Sequence, residues 1–185
     1  MNKAWKKRLI SQSDLMTLHE NLKDKGKTIV FTAGSWDLLH VGQCRYLEES
    51  KKEADILVVG VSSNAAIRKV KGPNKPILDE KIRAEMLTYL RSVDFVTILP
   101  EPSCQPSLGL LKPDVFITVR EDWAADYESS KEYKTVTKYG GVVKVVDRQS
   151  TALSTTKIVQ RAIGGELGDI FKDFMELRKD PLKER

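Results

Sequence analysis

The chain has 185 residues and 20.9 kDa, 41% hydrophobic and 31% charged, which suits one globular domain with a substantial core. Its net charge of +5 suits anionic partners such as phosphate esters, and no apolar run approaches the ~18 residues of a membrane span. Cys44 and Cys104 stand alone and His19 and His40 are the only histidines, which argues against a disulfide framework or structural zinc and for reduced thiols in a cytoplasmic protein.

The start, Met1-Asn2-Lys3-Ala4-Trp5-Lys6-Lys7-Arg8, is basic but leads into no apolar core region, so no secretory signal is expected. Residues 1–27 carry seven basic side chains against three acidic ones, read as a solvated helix face rather than an arm for nucleic acid or membrane. Ser11 and Asp14 have capping-box spacing, predicting a helix that Gly26 stops. Lys27 to Thr32 reads as a strand, and a short turn, Ala33 to Leu39, leads to a helix from Val41 to Glu53. The run Ile56 to Val61 reads as a strand covered on both faces. Helices are expected over Asn64–Val70, Asp79–Ser92, the short stretch after Pro106, and Lys131–Tyr139. Strands are expected over Phe95–Leu99, Val115–Val119 and Val142–Val146. Ser154 caps a helix to Ile163, and the segment from Glu166 is charged and helix-prone.

Five strands alternating with helices predict a Rossmann-like three-layer α/β fold: a parallel sheet, helices on both faces and a charged C-terminal helix. The organisation is a helical segment over 1–26, the α/β domain over 27–164 and the C-terminal helix over 165–185. Ligands in such sheets sit beyond the carboxyl ends of the strands, so the first strand-to-helix turn is where chemistry is expected. There Gly34 permits a tight bend, Gly42 a close backbone approach, and His40 opens a helix whose N–H groups and dipole favour phosphate. Gln43 shares a helix face with His40. No P-loop and no G-x-G-x-x-G occurs, which counts against kinases and dehydrogenases.

Gly34-Ser35-Trp36-Asp37-Leu38-Leu39-His40-Val41-Gly42-Gln43 resembles the G-x-F-D-x-x-H-x-G-H signature of cytidylyltransferase-like nucleotidyltransferases. The likeness runs from about Thr28 to Ile163, through Arg45-Tyr46-Leu47-Glu48, Val61-Ser62-Ser63-Asn64, Lys71-Gly72-Pro73-Asn74-Lys75-Pro76-Ile77, Arg83-Ala84-Glu85, Val93-Asp94, Lys112-Pro113-Asp114 and Ser154-Thr155-Thr156-Lys157-Ile158. It is most like the heptose 1-phosphate adenylyltransferase group, with glycerol-3-phosphate cytidylyltransferases next. Three features depart from the family. Gln43 replaces the second histidine, the loop Thr118 to Trp123 is one residue longer, and Ala152 and a displaced Arg148 alter the segment before Ser154.

The resemblance implies attack by an acceptor phosphate oxygen on the nucleotide's α-phosphorus, with pyrophosphate leaving and no general base required. It implies catalytic roles for His40, Gln43, Lys71 and Arg83, the last two neutralising phosphates; neither of those two falls at an evident core position. Nucleotide contacts are implied for Thr32, Ala33, Gly34, Ser35, Trp36, Asp37, Gly42, Asn64, Ser154, Thr155 and Thr156. Trp36 reads more as core than as a base-stacking ring, and Asp37 equally as a helix cap or a ligand-orienting group. Acceptor contacts fall to Lys75, Asp122, Trp123 and Arg148, though Trp123 also reads as a loop anchor. No protein-held metal is expected. Mg²⁺ rides on the triphosphate and waters. The expected partners are a nucleoside triphosphate, ATP or CTP, a phosphorylated sugar or polyol, and a second copy of the chain in a homodimer. A nucleotide-binding module with impaired catalysis is the alternative, because an amide cannot carry the imidazolium charge.

Overall fold

Five apolar segments pair side by side, all in parallel: β1 (Ile29–Gly34), β2 (Ile56–Ser62), β3 (Phe95–Leu99), β4 (Val115–Val119) and β5 (Val142–Val146). Their order is β3-β2-β1-β4-β5, so the chain winds outward from β1, then crosses back to start again beside it. This comes from a computed structural model, which describes residues 4–120, 126–147 and 155–178. By contact the chain divides into two units, Met1–Gln149 and Ser150–Arg185.

In the first unit strand alternation sends side chains to two cores. Val30, Leu57, Val59, Val96 and Ile117 pack with Trp36, Tyr46 and Leu87 under α2 (Val41–Lys51) and α4 (Glu80–Thr88). Phe31, Val58, Leu99 and Phe116 pack on the other face, with Leu15, Leu108 and Val136 of α1 (Leu15–Lys23), α5 (Gln105–Leu111) and α6 (Lys131–Lys138). The predicted three-layer parallel fold is therefore the observed one. Close packing is strict at Gly60, where a Cβ would stand 2.8 Å from both Phe31 and Leu99.

Three boundaries move for identifiable reasons. The helix expected to open at Ser11 begins at Leu15, after two 3₁₀ turns, Ala4–Arg8 and Gln12–Asp14. The Ser11 hydroxyl donates to the Asp14 carboxylate at 2.6 Å instead of capping the helix. β1 starts at Ile29 because Thr28 is held by Asp55, its N–H and hydroxyl each donating to Oδ2 at 2.9 Å. α4 stops at Thr88, whose carbonyl accepts from the Arg8 guanidinium. That guanidinium also holds the carbonyls of Val93 and Asp94, fastening the chain's opening segment beside β3. α3 (Asn64–Lys71) completes the unit.

The second unit holds one helix, α7 (Thr155–Arg178), where the sequence predicts a helix to Ile163 and a separate segment after it. Gly164, Gly165 and Gly168 each cost the helix about 1 kcal/mol relative to alanine, the reason they read as a stop. None of the three adopts the positive φ of a helix-ending glycine. Among the described residues no helix is long and apolar enough to cross a membrane.

Candidate active site at the carboxyl ends of the strands

The turn between β1 and α2 is held in an unusual backbone shape. Trp36 and Leu38 have φ of 52° and 48°, a left-handed conformation costing a bulky L-residue roughly 1–2 kcal/mol each. The surrounding bonds impose it. Trp36 is 6% exposed, stacks near Tyr46 and donates Nε1–H to the Gly60 carbonyl at 2.8 Å. The Asp37 carboxylate accepts the N–H groups of Ile77 and Leu78 at 2.9 and 3.0 Å, tying the turn to the loop after the cis Lys75–Pro76 peptide. The Trp36 ring therefore belongs to the core, and Asp37 pins a loop rather than capping α2. Gly34 is the extended last residue of β1, not a bend. A side chain there would press on the Trp36 ring at 3.1 Å.

Arg83 differs most from expectation. It is 0% exposed, and its guanidinium donates to the carbonyls of Ser35 and Leu78 and to Asn64 Oδ1. Burial draws its pKa down, while Asp37, Glu80 and Asp79 push the other way. The side chain that was expected to neutralise phosphate thus braces the turn from beneath. Asn64 is engaged likewise: besides Arg83, its amide donates to Asp79 Oδ2 at 2.8 Å and its N–H to Glu80. Thr32 is also withdrawn, its hydroxyl bonded to the Tyr46 hydroxyl at 2.7 Å inside the core.

His40 is the N-cap residue of α2, with φ −134° and ψ 167°. Its N–H donates to Gln43 Oε1 at 3.1 Å, and its carbonyl accepts the N–H groups of Gln43 and Cys44. Gln43 therefore closes the helix start with its amide oxygen, leaving its amide NH₂ as its donor group. Gly42 is buried in the first turn.

On the other side of the turn lies a cavity of about 370 Å³. Ala33, Gly34 and Ser35 of β1 and its turn, Ser62 of β2, Leu99 of β3 and Phe116 and Thr118 of β4 form its floor. Its walls come from α3 through Lys71, from Pro102 and Cys104 before α5, and from Glu132 of α6. Lys71 Nζ donates to Ser35 Oγ at 3.0 Å, placing an ammonium beside the signature turn. Burial, with Glu132 adding to it, pushes the Cys104 thiol up to about 12, so it is no nucleophile. Of the expected residues, Ala33, Gly34, Ser35 and Lys71 line this cavity; Lys75 is half-buried in its loop and does not. Thr155 and Thr156 open α7 in the second unit. Asp122, Trp123, Arg148 and Ser154 lie outside the described residues.

Three oxygen-bearing side chains of the lining were given no site role in the sequence reading: Ser62, Thr118 and Glu132. The first two end or nearly end strands, so the rule that ligands sit beyond carboxyl ends could have found them. Glu132 has no local signal. It reaches the cavity only because α6 packs back across the sheet. Among the described residues no group of three or more His, Cys, Asp or Glu is placed to hold a metal.

The cytidylyltransferase-like family model matches residues 31–161. The bifunctional protein HldE of Geobacter metallireducens is 40% identical over 147 residues, 78% of this chain and 29% of its own length. That of Syntrophotalea carbinolica is 36% identical over 153 residues, 79% and 30% respectively. The chain thus spans about a third of the length of the curated relatives it matches. The crystal structure of a lipopolysaccharide core biosynthesis protein from Thermoplasma volcanium GSS1 is 32% identical with a TM-score of 0.56, covering 66% of this chain and 97% of that one. With a strand-ending turn, a phosphate-suited helix start and a cation beside them, and a family match over most of its length, the chain belongs to the cytidylyltransferase-like nucleotidyltransferases.

Proposed function

We propose that the protein transfers a nucleoside monophosphate from a magnesium-bound triphosphate, ATP in preference to CTP, to the phosphate of a sugar or polyol such as a heptose 1-phosphate. An acceptor phosphate oxygen forms the new bond to the α-phosphorus as the bond to the departing pyrophosphate breaks. That oxygen is already anionic, so the protein's work is positioning and charge stabilisation. The observation that carries the reading is Lys71 Nζ on Ser35 Oγ, a cation held where the cavity meets the turn that starts α2. The triphosphate is assigned to the α2 start at His40, and the acceptor to the cavity across the turn. A similar solved protein described as acting in lipopolysaccharide core biosynthesis supports a sugar acceptor.

Pyrophosphate release with each nucleoside triphosphate, Mg²⁺ and a panel of sugar and polyol phosphates tests this. Release with ATP and a sugar 1-phosphate is the expected result, and none with any pair would overturn it. Gln43 supports a second reading, a nucleotide-binding module with little catalysis, because its oxygen serves the helix start. Nucleotide binding without pyrophosphate release would select that one.

A further inference from the structure

The cavity holds a charge of each sign on different elements: Lys71 at the end of α3 and Glu132 in the first turn of α6. Glu132 is half-buried, and Ser103 Oγ donates to its Oε1 at 2.6 Å. The same Ser103 oxygen accepts the Gln105 N–H at 3.1 Å, so the tether is fixed to the segment that opens α5. Among the described residues no lysine or arginine pairs with this carboxylate, and Ser103 is its one hydrogen-bond donor. A carboxylate accepts up to four hydrogen bonds and donates none, and a partly desolvated one is costly unless donors reach it. Ile67, Val70, Leu99 and Phe116 give the same cavity apolar surface, beside the hydroxyl-bearing Ser35, Ser62 and Thr118.

We infer that Glu132, held by Ser103, is the residue that selects a polyhydroxylated monophosphate as acceptor, by accepting hydrogen bonds from its hydroxyl groups and repelling a second phosphate. This rests on the acceptor occupying the cavity. A small ester with one phosphate and several hydroxyls matches such a lining. Inorganic phosphate would meet Lys71 but give Glu132 no hydroxyl scaffold, and a bisphosphate would bring like charges together.

Calorimetry on the full chain decides it, with inorganic phosphate, glycerol 3-phosphate, mannose 1-phosphate and mannose 1,6-bisphosphate as probes. The wild-type protein should bind at least one hydroxylated monophosphate about tenfold more tightly than inorganic phosphate, the contribution of one or two charged hydrogen bonds. Glu132→Gln should erase that preference, leave inorganic phosphate unchanged and tighten the bisphosphate severalfold. These opposite signs would not follow from a merely structural role. Ser103→Ala, which keeps the carboxylate but frees it, should reduce the preference about threefold. No preference in the wild type, an intact preference in Glu132→Gln, or joint loss of inorganic phosphate binding in both variants would overturn the assignment. Preference in binding without pyrophosphate release would retain Glu132 as selector and sink the transferase reading instead.

Discussion

The two ends of the sheet are built on opposite plans. At the amino end three aspartates each stand one residue before a strand and fasten the strand beside it. Asp55, before β2, accepts from Thr28 ahead of β1; Asp94, before β3, accepts the Leu57 N–H of β2 at 2.7 Å; Asp114, before β4, accepts the Ile29 N–H of β1 at 2.7 Å. Each also faces a lysine, Lys27, Lys51 and Lys23 respectively. At the carboxyl end Ser35, just past β1, Ser62, the last residue of β2, and Thr118, next to last in β4, stand around a cavity. The lesson is that family resemblance does not by itself place a residue at the cavity: Val93-Asp94 and Lys112-Pro113-Asp114 are family marks at the fastened end, a strand's length from the cavity. Arg83 shows the same division inside the site itself, where it braces the turn that Lys71 serves from the open side.

The largest effect is expected from breaking that brace. Arg83→Ala empties a fully buried site and leaves the half-buried Ser35 and Leu78 carbonyls and the Asn64 oxygen without this donor, and should cost about 3–5 kcal/mol in urea unfolding. A loss under about 1 kcal/mol with abolished turnover would return Arg83 to the phosphate-binding set. Lys71→Ala should do the reverse, lowering kcat/KM about a hundredfold while stability stays within about 0.5 kcal/mol. Wild-type steady-state kinetics would make Lys71 a surface charge.

Asp114→Asn probes the fastened end and should cost about 1 kcal/mol, a charged hydrogen bond discounted for partial exposure. The Asp114 carboxyl titrates below its ordinary value: burial pushes it up, but the Lys23 and Ile29 hydrogen bonds outweigh that. A lowered folded-state pKa gives stability that is complete above the unfolded value near ~3.9 and is lost as pH falls through the folded one. Urea midpoints between pH 6 and 2 should therefore fall less steeply for Asp114→Asn, with turnover at pH 7 nearly unchanged. Parallel curves would show that the carboxylate contributes nothing through its charge.

The smallest effect is expected at Gln43. In Gln43→His a neutral imidazole can still accept the His40 N–H, but an imidazolium donates from both nitrogens and cannot. With an ordinary pKa near ~6.5, folding then disfavours the charged form, so the deficit appears below that pH and reaches about 0.5–1 kcal/mol. Turnover should not rise. A rise that grows on acidification would show that the lost charge outweighs the helix cap.

Much of this was legible in order along the chain. Three strands match the sequence reading to the residue, because each is a short run rich in β-branched residues set between turn or charged residues, Asp94 and Pro100, Asp114 and Arg120, Gly141 and Asp147, and that punctuation is local information. The phosphate-suited turn was legible too, since a signature of ten residues lies on one strand end and one helix start. What the sequence could not assign was which polar side chains of that signature are free to meet a ligand. Thr32, Asp37, Asn64 and Arg83 look like ligands by type, yet each is engaged by partners 14 to 48 positions away. Glu132 looks like a solvated first-turn acid until α6 packs against the sheet and Ser103 meets it. Hydrogen-bond capacity is set by residue type, but whether it is already used is decided by long-range packing, which only the tertiary structure contains.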